Sequence, residues 1–154
     1  EHEIGVRDGR LAKIVRRCRD LPGQQLFQFV DDAGVTHAIG SADVNVYLRE
    51  TMGEDFTAKN FRTWHGSVLA FGAVVGAKGE QPSLKAVLAT VCDQLGNTPA
   101  VARRSYIHPA VLDQIVRPSM GVSLPRATRW LSREERGLLA LLAEHPNAKE
   151  LLAT

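Results

Sequence analysis

Tyr106 stands nine residues after Asn97 and directly follows Arg103, Arg104 and Ser105, in a stretch running from Leu95-Gly96-Asn97-Thr98-Pro99 to Tyr106-Ile107-His108-Pro109. These types at this spacing suit a phosphate site that carries its own nucleophile. A tyrosine hydroxyl has a reference pKa near 10, so only about one part in a thousand is ionised at neutral pH, and attack on phosphorus needs help. Arg62, upstream in Phe56-Thr57-Ala58-Lys59-Asn60-Phe61-Arg62-Thr63-Trp64, offers a guanidinium that stabilises charge on nonbridging oxygens and favours a phenolate. The Asn97 amide can donate to a phosphate oxygen without adding charge, and the backbone N–H groups of a helix starting after it would add to the anion site. Arg103 and Arg104 are close to Tyr106, but successive positions cannot both face one phosphate. Each residue also has a plainer reading: Tyr106 as a half-buried core tyrosine, Arg62 as half of a surface ion pair, Asn97 as a turn residue. Their order along one chain favours the chemical reading.

Positioning these groups falls to two helices. Thr57 caps a helix expected to reach Val75, in which Phe61, Trp64, Val68, Phe71 and Val75 fall in one arc at 3.6 residues per turn and form the expected core face. Lys59 and Arg62 lie opposite. Gly66, Ala70 and Ala73 follow on that face, small enough to admit another backbone or DNA. His65 borders the apolar arc and is expected to pack. Thr98-Pro99 is an N-cap and N1 pair for the second helix. An unbroken helix would carry Tyr106 roughly 13 Å along the axis from Asn97, so convergence on one phosphate favours a helix that bends or ends near Ser105. Pro109 soon afterwards makes such an end reasonable, with His108 as a turn residue.

Elsewhere Asp8 caps a helix to about Asp20 with a Leu11, Ile14, Val15, Cys18 stripe. Leu26 to Val30 and Val35 to Ile39 flank Asp31-Asp32-Ala33-Gly34 as a small hairpin, and Ser41 starts a helix ending at Gly53. Ser83 to Gln94 is helical. After a linker from Pro118 to Pro125, Ser132-Arg133-Glu134-Glu135 has capping-box spacing and opens a Leu-rich helix to about Glu144, with Trp130 as its expected anchor. The fold is therefore mainly α with one β-hairpin.

A length of 154 residues, 44% of them hydrophobic, fits one domain or a piece of a larger one, and argues against disorder throughout. A net charge of +2 confines any nucleic-acid surface to local clusters. Two exist: Arg7, Arg10, Lys13, Arg16, Arg17 and Arg19, then Arg117, Arg126, Arg129, Arg133 and Arg136. Solvated helix faces are the alternative for both. Cys18 and Cys92 lack zinc or redox spacing and fit a reducing cytoplasm. The apolar run from Ser67 to Ala77 is too short to cross a bilayer, and Glu1-His2-Glu3 does not resemble a secretory signal. The expected setting is cytoplasmic and nucleoid-associated, as a monomer with no membrane contact.

The stretches from Asp55 to Trp64 and from Leu95 to Pro109 resemble the bacterial, poxvirus-like type IB DNA topoisomerases. The resemblance also takes in Leu21-Pro22-Gly23, Leu26-Phe27 and Ser41 to Leu48, and so covers roughly residues 4 to 116. It implies the catalytic-domain fold of the DNA breaking-rejoining enzymes. Residues 1–117 would form the carboxy-terminal part of that domain, and residues 118–154 a linker and helical tail. On this resemblance Tyr106 attacks the scissile phosphate of double-stranded DNA, giving a 3′-phosphotyrosyl link and a free 5′-hydroxyl strand. Supercoils relax as that strand rotates, and reversal reseals the break without ATP or an obligatory metal. Arg62 would stabilise the pentavalent transition state, Asn97 takes the place where many relatives carry histidine, and Lys59, Arg103 and Arg104 would contact DNA. No cofactor or metal site is implied.

The resemblance also implies an arginine and a general-acid lysine from a helix and hairpin ahead of the matched region. Lys13, on a helix, and Lys59, three residues before Arg62, match neither. The chain is thus expected to be a carboxy-terminal fragment that cleaves slowly if at all alone, since a general acid contributes about 10²–10⁴-fold. Two alternatives stand beside this reading. A tyrosine recombinase or integrase shares the Leu-Gly-His pattern followed by tyrosine, but usually has His-x-x-Arg where this chain has Lys59-Asn60-Phe61-Arg62. A noncatalytic DNA-binding module could have kept the same fold.

Overall fold

The computed structural model describes residues 7–21, 23–53, 55–77, 81–117 and 124–145. It is mainly helical with one two-stranded sheet, as the sequence implies. The expected linker from Pro118 falls almost wholly outside the described residues. The chain forms two compact units, Glu1–Ala58 and Lys59–Thr154.

In the first unit, helix α1 (Gly9–Arg19) starts where the Asp8 carboxylate accepts from the N–H groups of Arg10 at 2.7 Å and Leu11 at 3.0 Å. Strands β1 (Gln28–Val30) and β2 (Thr36–Ala38) pair antiparallel, with Phe29 opposite His37. The Asp31 carboxylate closes their turn by accepting from Val35 N at 2.8 Å, and Gly34 supplies the positive φ that the turn requires. Helix α2 (Ser41–Met52) follows, with Asp43 reaching back to the Gly40 N–H. Gln28 is the sole buried side chain among this unit's described residues. The stripe expected on α1 is therefore apolar but not buried: Leu11 and Ile14 are exposed, because nothing among the unit's described residues covers them.

The second unit holds α3 (Ala58–Gly76), α4 (Leu84–Leu95), α5 (Pro99–Ser105), α6 (Pro109–Val116) and α7 (Arg133–Glu144). Its core joins Ala70 and Phe71 of α3 to Val87, Leu88 and Val91 of α4, Val111 and Ile115 of α6, and Leu138 and Leu141 of α7. Three expectations for α3 and the tail need correction. From Thr63 to Val75 only His65 is exposed, so α3 is covered nearly all round rather than along one arc. Its closest packing runs through Gly66, Ser67 and Ala70, the small-residue face, and Phe61 near its start is 47% exposed. His65 faces solvent instead of packing. Trp130 does not anchor α7, being 79% exposed. That role belongs to Trp64, whose indole Nε1 donates to Glu135 at 3.2 Å, and to Gly137, where a β-carbon would sit 2.7 Å from the Phe71 ring. The capping box expected at Ser132 and Glu135 is formed in both directions.

Candidate nucleophile site

The site is built on α3. Arg62 leaves the helix on its exposed side, and its Nη2 donates both to the main-chain carbonyl of Leu95 and to Oδ1 of Asn97. Leu95 is the last residue of α4, and Gly96 turns the chain in the left-handed conformation with φ 66°. Carbonyls in the last turn of a helix have no intrahelical donor and carry the negative end of the helix dipole, so a guanidinium there is held by hydrogen bonding and charge together. The same turn delivers Asn97 beside Arg62.

A guanidinium has donors only, so Asn97 must present its oxygen to Arg62. Its amino group is then the end turned away from Arg62 and open to a donor role. Nε and Nη1 of Arg62 make no hydrogen bond to protein among the described residues, so donors remain for an anion.

Tyr106 reaches the same place because α5 is short. Thr98 caps it and Pro99 fills its first position, as expected, and the helix stops at Ser105, with Tyr106 as its C-cap at φ −130°. The half-buried Tyr106 ring lies 5.2 Å from Arg62 Cζ, in cation–π range. Arg62 thus touches both other members of the expected trio. Lys59, Arg103 and Arg104 are exposed and give no hydrogen bond to this group among the described residues.

Three successive contacts from α3 fix the main chain around Tyr106. Thr63 Oγ1 donates to the Ser105 carbonyl at 3.3 Å. Gly66 lies against the Tyr106 carbonyl so closely that a β-carbon would collide with it. Ser67 Oγ accepts from the His108 N–H at 2.9 Å, a buried bond. Positions 63, 66 and 67 share one helix face, so a single surface of α3 holds the whole turn. His108 is more than a turn residue: it is 3% exposed and caps α6 through Nδ1, which accepts from Ala110 N at 3.1 Å. Sequence reading passed over Thr63 and Ser67. Ser67 sat inside an apolar run, and the i, i+3, i+4 spacing with Gly66 was the available signal.

Burial pushes the Cys92 thiol up, which disfavours its thiolate. Among the described residues no cluster of His, Cys, Asp and Glu is arranged to hold a metal ion, and no helix is long and apolar enough to cross a membrane.

The chain is 26% identical over 106 residues to a protein described as DNA topoisomerase 1B of Acanthamoeba polyphaga mimivirus, an alignment covering 60% of this chain and 32% of that relative. It therefore spans about a third of the relative's length. The sequence model of the family described as eukaryotic DNA topoisomerase I, catalytic core, matches residues 1–108, a stretch that includes Arg62, Asn97 and Tyr106. The chain belongs to the DNA topoisomerase I catalytic-core family.

Proposed function

We propose that this chain carries the nucleophile of a type IB DNA topoisomerase of the poxvirus-like kind, acting as a monomer on double-stranded DNA in the cytoplasm. Tyr106 Oη attacks the scissile phosphorus, the phenolic proton leaves, and the bond to the 5′-oxygen breaks. The departing oxygen takes up a proton to become a 5′-hydroxyl. The 3′-phosphate remains esterified to Tyr106, so the energy of the broken bond is kept and resealing needs no ATP. Arg62 directs its remaining N–H donors at the nonbridging oxygens, where charge grows in the pentavalent transition state. Asn97 Nδ2 donates to one of those oxygens. Lys59, Arg103 and Arg104 hold neighbouring phosphates.

The observation that supports this reading most is the bridging position of Arg62, bonded to Asn97 and stacked over Tyr106 within a family-matched segment. The residues of the 1–117 segment supply a phenol, a guanidinium and a carboxamide, and the proton for the leaving oxygen comes from a group outside that trio. The experiment is to incubate the full-length protein with supercoiled plasmid, denature it rapidly, and map the DNA-linked peptide. Linkage at Tyr106 is expected. Relaxation that persists in Tyr106→Phe, or linkage at another residue, would refute the assignment, and joining of two different duplexes would mark a recombinase instead.

A further inference from the structure

The segment leading into α7 presents a surface that the nucleophile site does not use. Residues 126–133 read Arg126-Ala127-Thr128-Arg129-Trp130-Leu131-Ser132-Arg133. Thr128 folds them into a tight turn: its Oγ1 accepts from Leu131 N at 3.1 Å and Trp130 N at 3.4 Å, while its own N–H donates to the Leu131 carbonyl at 2.8 Å. The Arg136 side chain donates to the Arg126 carbonyl and fastens the turn to α7. Leu131 and Ser132 lean inward and Trp130 is left outside.

An indole is among the largest apolar surfaces a chain can leave in water, and here the turn is built to hold it there. Arg129 Cζ lies 4.7 Å from the Trp130 ring and covers one face, leaving the other open. Arg126, Arg129 and Arg133 are exposed, and none makes an ion pair among the described residues. The neighbouring acids make no ion pair with them among the described residues. Glu135 bonds Ser132 and Trp64, and Glu134 lies over Gly72 of α3. Three unpaired guanidiniums beside an open ring face match a nucleic-acid strand with unpaired bases: phosphates for the cations and a base for the indole. An acidic polypeptide would satisfy the arginines but leave the ring face without a flat partner.

We propose that residues 126–133 form a second DNA contact that takes single-stranded DNA, one base stacking on Trp130 and the adjoining phosphates meeting Arg126, Arg129 and Arg133. The family match ends at residue 108, so this surface lies outside the shared core. The proposal rests on the proposed function for DNA as the partner, but on none of its chemistry.

The test uses full-length protein carrying Tyr106→Phe, labelled with 5-fluorotryptophan and titrated with an oligothymidylate. The Trp130 fluorine resonance is expected to shift and the Trp64 resonance to stay. The triple variant Arg126→Ala, Arg129→Ala, Arg133→Ala should bind at least about ten-fold more weakly. Its log K against log salt slope should be shallower by about two, the value for three lost single-strand phosphate contacts. Trp130→Ala should also weaken binding by about ten-fold while leaving the salt slope unchanged, since stacking is not ionic. Unaltered oligonucleotide affinity in both variants would overturn the proposal. So would a Trp130 shift produced by polyglutamate and not by the oligonucleotide, which would mark an acidic protein partner. Absence of a Tyr106 adduct in unmutated protein would sink the proposed function while this binding result still stood.

Discussion

The Tyr106 carbonyl rests on Gly66, with no room between them for a β-carbon. The residue proposed as nucleophile is therefore seated by its main chain on the helix that carries Arg62, and phenol and guanidinium share one support. Gly66→Ala should force the turn at residues 105–108 away from α3. Overpacking of this kind costs about 1–3 kcal/mol, and the expected result is at least a ten-fold slower rate of adduct formation with DNA affinity nearly unchanged. Gly76→Ala, where nothing lies within 4 Å, is the control and should leave the rate as it is. Equal rates for the two variants in a single-turnover cleavage assay would show that the seat is unimportant.

The two hydroxyl contacts flanking Gly66 separate by chemistry. Ser67→Ala removes the acceptor of the buried His108 N–H, and an unsatisfied buried donor costs about 1–3 kcal/mol. Faster hydrogen exchange at the His108 amide is expected, together with slower cleavage. Thr63→Val keeps the shape and loses the bond to the Ser105 carbonyl, whereas Thr63→Ser keeps the hydroxyl. Cleavage should fall in the first and recover in the second. If the valine variant cleaves like the parent, Thr63 fills space and does not position the turn.

Arg62→Lys tests the fork itself. An ammonium keeps the charge but, with three donors on one nitrogen, cannot hold the Leu95 carbonyl and Asn97 while keeping the further donors that a guanidinium carries on Nε and Nη1. The loss should approach that of removing one donor from an oxyanion site, about 10²–10³-fold in the chemical step, with DNA binding within a few-fold of the parent. Asn97→Ala should cost less than Arg62→Ala, because it removes one neutral donor and one of two tethers. Near-parental cleavage by Arg62→Lys would mean that charge alone suffices.

The helix punctuation was legible in the sequence. Asp8, Thr98 with Pro99, and Ser132 with Glu135 all cap the helices they announce, because capping is settled by residues within one turn. So was the early end of α5, which a shared phosphate site required of Tyr106 and Asn97. What periodicity misjudged was α3. Its apolar arc was real, but Gly66, Ser67 and Ala70 allow closer approach than Phe61 or Trp64, and helices from several directions use that allowance. The placements of His65, Phe61 and Trp130 followed from how neighbouring elements pack, which no local window contains. The tie from Arg62 to the end of α4 is a contact across 33 positions, equally invisible to spacing.

The last helix carries a pH dependence of its own. Glu135 is held below the usual carboxylate range, chiefly by the Ser132 backbone N–H and next by the Trp64 indole, with the charge of His65 adding slightly. A carboxyl whose folded pKa is depressed stabilises the fold above its unfolded pKa, and that contribution is lost as pH falls through the folded value. Docking of α7 on α3 should therefore be fully present at neutral pH and weaken as pH falls from the ordinary carboxylate range through the depressed folded value. Glu135→Gln can still accept from Trp64, but its amide nitrogen cannot accept from the Ser132 N–H. The variant should lose about 1 kcal/mol at pH 7, the worth of a helix cap, and show less of the acid-induced drop in midpoint that the parent shows. Thermal unfolding from pH 3 to pH 7, followed by Trp64 fluorescence in a Trp130→Phe background, reads both effects. An acid-induced drop equal in the two proteins would assign it to other carboxylates and free α7 of this dependence.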